Sequence, residues 1–417
     1  MTQIILRVEG PRVPVEIAEA NALVERFESS SENNEVIGID LSCRQWKQPS
    51  LEIVETFLQA KAATVKYLVI DDIIAGLLTD EGLAVTEKLA NVFLQSNLLQ
   101  IDLADNAMGP RGLGRVGALF QNSNLQRLNL NNCGLSHESM GQLEGYLMED
   151  DWRIAKCLRS LSLDRNMIGI DGAQIVGRFL PHCTNLESFS YKGSRPQGPG
   201  SKFLAQGLLG LVDNVDIPAI RALHFEDCTF GSGEDDDEGG IIPFTQAISK
   251  CAQLQHLDMK ESLMEVTGVT LLVDALKESK ARLTDLLLDA NGEVGPEGAK
   301  VLSEWLVSQV ETLRRLHLST NELGDEGVAA IMVPFFAPSN VLEDVSFELN
   351  ELTDEGADTL LTAKLPKLRH LNLDDNMDIE DEKKHELLSK FGKDVVFFGD
   401  EEDDMDDLVA KMAGSSI

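Results

Sequence analysis

Aromatic residues are scarce: Phe, Trp and Tyr make up 5% of the 417 residues, against a hydrophobic content of 43%. A core of that composition has to be aliphatic. Basic residues are few as well, 36 against 70 acidic ones, for a net charge of −34. Such a chain repels nucleic-acid phosphate and anionic lipid, and it favours basic protein partners. The six cysteines (43, 133, 157, 183, 228 and 251) contain no C-x-x-C pair and no metal-ligand spacing. No zinc site is expected, and the thiols read as reduced, as in cytosol or nucleus. No stretch approaches the roughly 20 apolar residues that span a bilayer. Residues 1–26 alternate Ile, Leu and Val with early charges at Arg7 and Glu9, unlike a signal peptide. The last four residues carry no prenylation cysteine. The expectation is a soluble, intracellular protein with no cofactor.

What the chain does contain is a repeat. The pattern L-x-x-L-x-L-x-x-N/C-x-L runs through Leu98, Ile101, Leu103, Asn106 and Met108, and returns at Leu125, Leu128, Leu130, Cys133 and Leu135. Further clean copies begin at Leu158, Leu313 and Leu342, and looser ones at Val36, Val65, Leu186, Ile220, Leu254, Leu283 and Leu368. Twelve units follow one another at spacings of 26 to 34 residues. In each, the alternating L-x-L predicts a short strand with its apolar side chains on one face. The Asn or Cys predicts a turn in which that side chain bonds backbone groups the strand no longer pairs. Phrases such as Gly109-Pro110-Arg111-Gly112 and Gly324-Asp325-Glu326-Gly327 predict helix starts, and acidic residues in a first turn suit the helix dipole.

No single unit buries its apolar face alone, so the units stack. The fold class predicted is α/β, a leucine-rich-repeat solenoid (horseshoe) with a parallel sheet on the concave face and helices on the convex face. Units near 29 residues with a full helix match the ribonuclease-inhibitor type of repeat. Residues 1–35 are expected to form an N-terminal cap and 36–398 about twelve repeats with a terminal cap. Surface loops are expected at Asp150–Arg153, Lys192–Ser201, Val212–Pro218 and Gly231–Gly240. Residues 399–417 are expected to form an acidic, disordered tail, because seven carboxylates in the eight positions 400–407 offer no apolar surface to pack.

Catalytic signals are weak. His224, His256, His317 and His370 occupy variable strand positions beside core residues, which reads as solvated or hydrogen-bonded histidine rather than metal ligation. The glycine phrases contain neither a P-loop nor a dinucleotide fingerprint. The acidic pairs Asp71-Asp72 and Asp374-Asp375 fall on the inner strand or its exit and read as a solvated acidic surface. By residues alone, the chain is a rigid, acidic, curved surface for holding a protein.

Particular phrases add a resemblance. Asp72-Ile73-Ile74-Ala75-Gly76, Leu103-Ala104-Asp105-Asn106-Ala107-Met108-Gly109-Pro110 and Leu130-Asn131-Asn132-Cys133-Gly134-Leu135 resemble successive repeat loops of the Ran GTPase-activating proteins. Asn321-Glu322-Leu323-Gly324-Asp325-Glu326-Gly327 and the acidic tail are similar to plant members in particular, although the targeting domain that precedes the repeats in plants has no counterpart here. The resemblance implies activation of Ran in its GTP form, in the cytoplasm or at the nuclear envelope, in support of nucleocytoplasmic transport. A Ran-binding protein could join as a third component. The activator would contribute no hydrolytic chemistry of its own. It would dock by the repeat edge and help Ran's own glutamine orient the attacking water. The family asparagine with this role falls on Asn132. The family arginine that follows the glycine matching Gly76 is replaced by Leu77, with Arg111 and Arg165 as compensating candidates. Asp72, Gly76, Asp105, Asn106, Arg111, Asn131 and Arg165 are the expected partner-binding residues. The alternatives are a non-catalytic repeat binder that still holds Ran, and an inhibitor-like scaffold for a basic protein.

Overall fold

The computed structural model describes residues 2–121, 124–233 and 238–399. The acidic tail from Asp400 and the centre of the acidic loop, 234–237, lie outside the described residues. Two compact units divide the rest, one formed by residues up to Cys228 with Glu238–Cys251, the other by the residues from Ala252 onward with Thr229 and its neighbours.

In the first unit the strands are β1 (Thr2–Arg7), β2 (Asn34–Asp40), β3 (Tyr67–Val69), β4 (Gln100–Asp102), β5 (Arg127–Asn129), β6 (Ser160–Ser162), β7 (Ser188–Ser190) and β8 (Ala222–His224). They pair in parallel and in chain order. In the second unit β9 (His256–Asp258), β10 (Asp285–Leu287), β11 (Arg315–His317), β12 (Asp344–Ser346), β13 (His370–Asn372) and β14 (Val396–Phe397) do the same. The fold is the α/β leucine-rich-repeat solenoid read from the sequence. Fourteen strands are described rather than twelve, because β1 precedes the first repeat and β14 follows the last.

The leucine pattern sets the register. Leu68, Ile101, Leu128, Leu161, Phe189 and Leu223 align across neighbouring strands, as do Leu257, Leu286, Leu316, Val345 and Leu371. All are buried, and each such side chain contributes about 1.5–3 kcal/mol of hydrophobic stabilisation. Helices cover the sheet by an apolar stripe at helical spacing. In Gly295–Leu306 the buried residues are Gly298, Ala299, Leu302, Trp305 and Leu306. Gly177 and Gly207 bring the helices Gly169–Phe179 and Gln197–Asp213 into backbone contact. A Cβ on Gly207 would lie 2.5 Å from the Gly177 carbonyl oxygen, and one on Gly177 would lie 2.4 Å from that of Phe203.

The helix announced by Gly109-Pro110-Arg111-Gly112 is the exception. It lasts only from Gly112 to Arg115 and gives way to a 3-10 turn at Gly117–Phe120. Glycines 112, 114 and 117 weaken helix propensity there by about 1 kcal/mol each.

The N/C position of the repeat is an internal brace. Asn106, Asn166, Asn291, Asn321, Asn350 and Asn376 are buried. In each, the side-chain amide donates to carbonyls of its own or the preceding repeat, and its oxygen accepts backbone N–H groups of the preceding one. Asn106 Nδ2 donates to Ile70 O at 2.7 Å while its Oδ1 accepts from Ile73 N at 3.0 Å. Cys133, Ser194, Cys228 and Ser262 fill the same position elsewhere, and the six cysteines form no disulfide.

Candidate functional site

One residue before each brace, the chain leaves the sheet through a left-handed conformation. In the first unit that position is held by Cys43, Asp72, Asp105, Asn132, Arg165, Gly193 and Asp227, with φ between +51° and +58°. Asn and Asp tolerate this region better than other non-glycine residues. The side chains project from a regular row of rungs, so Asp105, Asn132 and Arg165 are neighbours on consecutive repeats. All three are exposed. Asn132 N donates to Asp164 O at 2.8 Å, which locks its rung to the next repeat. Its Nδ2 donates to Asp105 Oδ1 at 2.8 Å, while its Oδ1 has no donor among the described residues. Asn132 therefore presents an oriented amide oxygen at the loop edge.

The other expected site residues separate into two groups. Arg111 is exposed and paired with Asp80 at 3.1 Å. Gly76, with φ +78°, and the half-buried Leu77 lie two rungs from Asn132, in the loop after β3. There Leu77 N donates to Ile74 O at 3.1 Å, and Leu78 beside it is 79% exposed. Asp72 and Asn106, expected at the partner surface, are buried instead. The Arg12 guanidinium grips both oxygens of Asp72, at 2.5 and 2.6 Å, and Asn106 is one of the braces. Asn131 is half-buried, its Oδ1 accepting from Ser162 Oγ and Asp164 N, both at 2.7 Å. The polar groups of these three are engaged within the rungs.

The sheet face of the first unit carries a row of acids, Asp40, Asp71 and Asp102. Asp71 and Asp102 belong to neighbouring repeats. Burial, reinforced by Asp102 and Asp40, pushes the Asp71 carboxyl up to about 6. Burial raises Asp102 as well, against hydrogen bonds from Ala104 N and Asn129 Nδ2. A carboxyl raised by the fold stabilises it in the neutral form. That contribution is complete below the unfolded value of 3.8 and is lost as pH rises through about 6. Asp71→Asn is therefore expected to melt higher than the parent at pH 7.5, the difference closing near pH 4. Thermal melts across that range check it, and a constant difference would contradict the assignment.

In the second unit the corresponding face carries paired charges. Asp285 meets His256 and Arg315. Burial alone would raise it, but hydrogen bonds from Arg315 and Thr284 outweigh that and hold it low. Asp344 lies 3.0 Å from His317 and 2.9 Å from His370. These histidines are strand residues paired with carboxylates. A possible metal-binding grouping among the described residues is Glu348, Asp374 and Asp375, whose carboxylate oxygens lie within 4.8 Å of one another. It is wholly acidic and partly exposed. No helix among the described residues is long and apolar enough to cross a membrane.

Comparisons with known proteins fit this geometry. Models of the leucine-rich repeat match residues 124–145 and 311–332. A Tonsoku-like protein of Danio rerio is 27% identical over 273 residues, 64% of this chain and 18% of its own length. The ribonuclease inhibitor of Mus musculus is 26% identical over 257 residues, covering 54% of this chain and 52% of the inhibitor. That of Sus scrofa is 25% identical, covering 54% and 40%. The chain thus spans about half or less of the length of the curated relatives it matches. The crystal structure of the yeast Rad7 and Elc1 complex contains a chain that superposes with a TM-score of 0.54 at 15% identity, over 92% of this chain and 85% of that one, which is a likeness of fold. The chain thus carries leucine-rich repeats, in its sequence and in its stacked parallel strands, and is similar at low identity to ribonuclease inhibitors.

Proposed function

We propose that this protein is a GTPase-activating protein for Ran, docking by the loop edge of its first unit and orienting Ran's own catalytic groups in the service of nucleocytoplasmic transport. The observation that carries the reading is Asn132, exposed at the edge, with its amide aimed by Asp105 and its oxygen unengaged among the described residues. That geometry suits a group that accepts a hydrogen bond from a partner's glutamine amide while the glutamine positions water. The leucine core does not move when Asn132 is used, because the buried apolar positions are Leu128 and Leu130. Single-turnover GTP hydrolysis by Ran, with and without this protein, tests the reading; an unchanged rate overturns it.

A second reading is favoured by Leu77. Without the family arginine at that position, the chain would be a protein-binding scaffold that holds its partner without accelerating hydrolysis. The relatives named ribonuclease inhibitors support a holding role, and the acids at Asp71 and Asp102 suit a basic partner surface. Leu77→Arg separates the two readings. Leu77 lies in an edge loop beside the exposed Leu78, so a long charged side chain has room to extend. The expected outcome is a several-fold rise in Ran hydrolysis rate with unchanged melting temperature. Binding of Ran with no stimulation by either the parent or Leu77→Arg would establish the scaffold instead.

A further inference from the structure

With so many acids available, arginines in this chain usually find one: Arg12, Arg44, Arg115 and Arg178 each meet a carboxylate. Arg165 and Arg195 are exposed, and neither forms an ion pair among the described residues. Both line a single cavity of about 470 Å³ between the strand-exit loops of two consecutive repeats, with Met167 and Gly193 among its other walls. A second cavity of about 430 Å³ shares Met167, Gly169 and Arg195 with the first and reaches Asp171 and Gln197.

Two long helices start here, Gly169–Phe179 and Gln197–Asp213. The dipoles of both helices add positive potential to that of the two guanidinium groups. The acids nearby are Asp171, in the first turn of one helix, Glu238, packed against Gly198 in the first turn of the other, and Asp164, already engaged by Ser190 Oγ at 2.6 Å and Lys192 N at 2.9 Å. Met167, 75% exposed, adds an apolar wall. The notch thus sets two guanidinium groups beside an apolar wall in a strongly acidic protein.

We propose that this notch binds an acidic side chain, Asp or Glu, of the protein partner, with the carboxylate held between Arg165 and Arg195 and its stem against Met167. The guanidinium forks suit a carboxylate in bidentate geometry. Rim charges of this kind set register. A partner that is basic overall is attracted by the net charge in many orientations, but those placing a lysine against the two arginines are penalised. The inference rests on the reading of the chain as a holder of Ran, because Arg165 stands one rung from Asn132.

The test uses the full chain and two probes. Asparagine tolerates the positive φ of both arginines, +54° and +53°, so Arg165→Asn/Arg195→Asn should fold as the parent does, and equal melting temperatures verify this. Calorimetric titration with Ran loaded with a non-hydrolysable GTP analogue at about 0.15 M salt is expected to give a Kd raised about ten-fold in this variant, and further in Arg165→Glu/Arg195→Glu. The second probe is a short acetylated Glu-Leu-Glu peptide, followed through the side-chain Nε–H signals of Arg165 and Arg195, with inorganic phosphate in parallel. The peptide is expected to shift both signals in the parent, and more than phosphate does. Undiminished Ran affinity in both double variants overturns the notch while leaving the Ran reading intact. If the parent fails to bind Ran, the Ran reading falls, and the peptide decides the notch alone. Signals that stay unmoved, or that respond more strongly to phosphate, overturn the carboxylate assignment.

Discussion

Asn132→Ala is expected to slow the stimulated hydrolysis of GTP by Ran by about a hundred- to a thousand-fold, because removing one preorganised polar contact from a closed site costs roughly 2.7–4 kcal/mol. The same change should barely affect folding. The side chain is exposed and makes a single hydrogen bond, to Asp105 at 2.8 Å, and exposed bonds of that kind contribute about 0.5–1.5 kcal/mol. Alanine accepts φ +51° less readily than asparagine does, which adds a comparable small cost. Ran affinity should stay close to the parent's, since the loss falls on the transition state rather than on the bound ground state. Single-turnover kinetics at saturating activator separates the two quantities. A variant that stimulates Ran as well as the parent does would remove Asn132 from the site. A rate loss matched by an equal loss of affinity would assign it to docking. Asp105→Ala offers an internal check, because it frees the amide that Asp105 aims; it should lower the rate at saturating activator less than Asn132→Ala.

How much of this was legible beforehand depends on the distance over which the determining contacts act. The stacked strands were legible because an aliphatic L-x-L recurring in phase has one economical arrangement, and the register Leu128–Leu161–Phe189 follows from it. The contrast between Asn106 and Asn132 was also present in the phase of the repeat. Asn106 shares its position with Cys133 and Asn166 and points inward, whereas Asn132 shares its position with Asp105 and Arg165 and points outward. Resemblance to family loops groups Asn106 with Asn132, whereas the phase of the repeat separates the buried Asn106 from the exposed Asn132. Asp72 could not have been read correctly from its own repeat, because Arg12, which covers it, comes from 60 residues earlier. The raised Asp71 carboxyl likewise depends on Asp40 and Asp102 in the flanking repeats, so it becomes visible only when the units are stacked. The notch at Arg165 and Arg195 needs the longer sixth repeat to be folded before its walls exist.

Asn166→Ala should be the most destabilising single truncation of a polar side chain in the first unit, although on the motif it is just another turn asparagine. Asn166 is 4% exposed, and its amide closes five hydrogen bonds. Nδ2 donates to Leu130 O at 2.9 Å, Leu163 O at 3.0 Å and Asp164 O at 3.1 Å. Oδ1 accepts from Cys133 N at 3.0 Å and Leu135 N at 3.1 Å. Truncation leaves those two buried backbone donors without an acceptor, at about 1–3 kcal/mol each, so a loss of roughly 2–6 kcal/mol is expected from the donors alone. A folded domain typically has only about 5–15 kcal/mol to lose. Because repeats are coupled chiefly to their neighbours, the weakening should concentrate where the repeat of Cys133 meets that of Asn166, and urea unfolding should lose cooperativity as well as midpoint. Asn166→Asp distinguishes the two halves of the amide. It keeps an acceptor for Cys133 N and Leu135 N but loses both donors and buries a charge, so its penalty should grow as pH rises through the carboxylate range. Hydrogen exchange at the Cys133 and Leu135 amides gives the local readout: both should exchange much faster in Asn166→Ala and stay protected in Asn132→Ala. Stability within about 0.5 kcal/mol of the parent, a shift no larger than that of an ordinary surface substitution, would show that the asparagine ladder accompanies the fold without holding it.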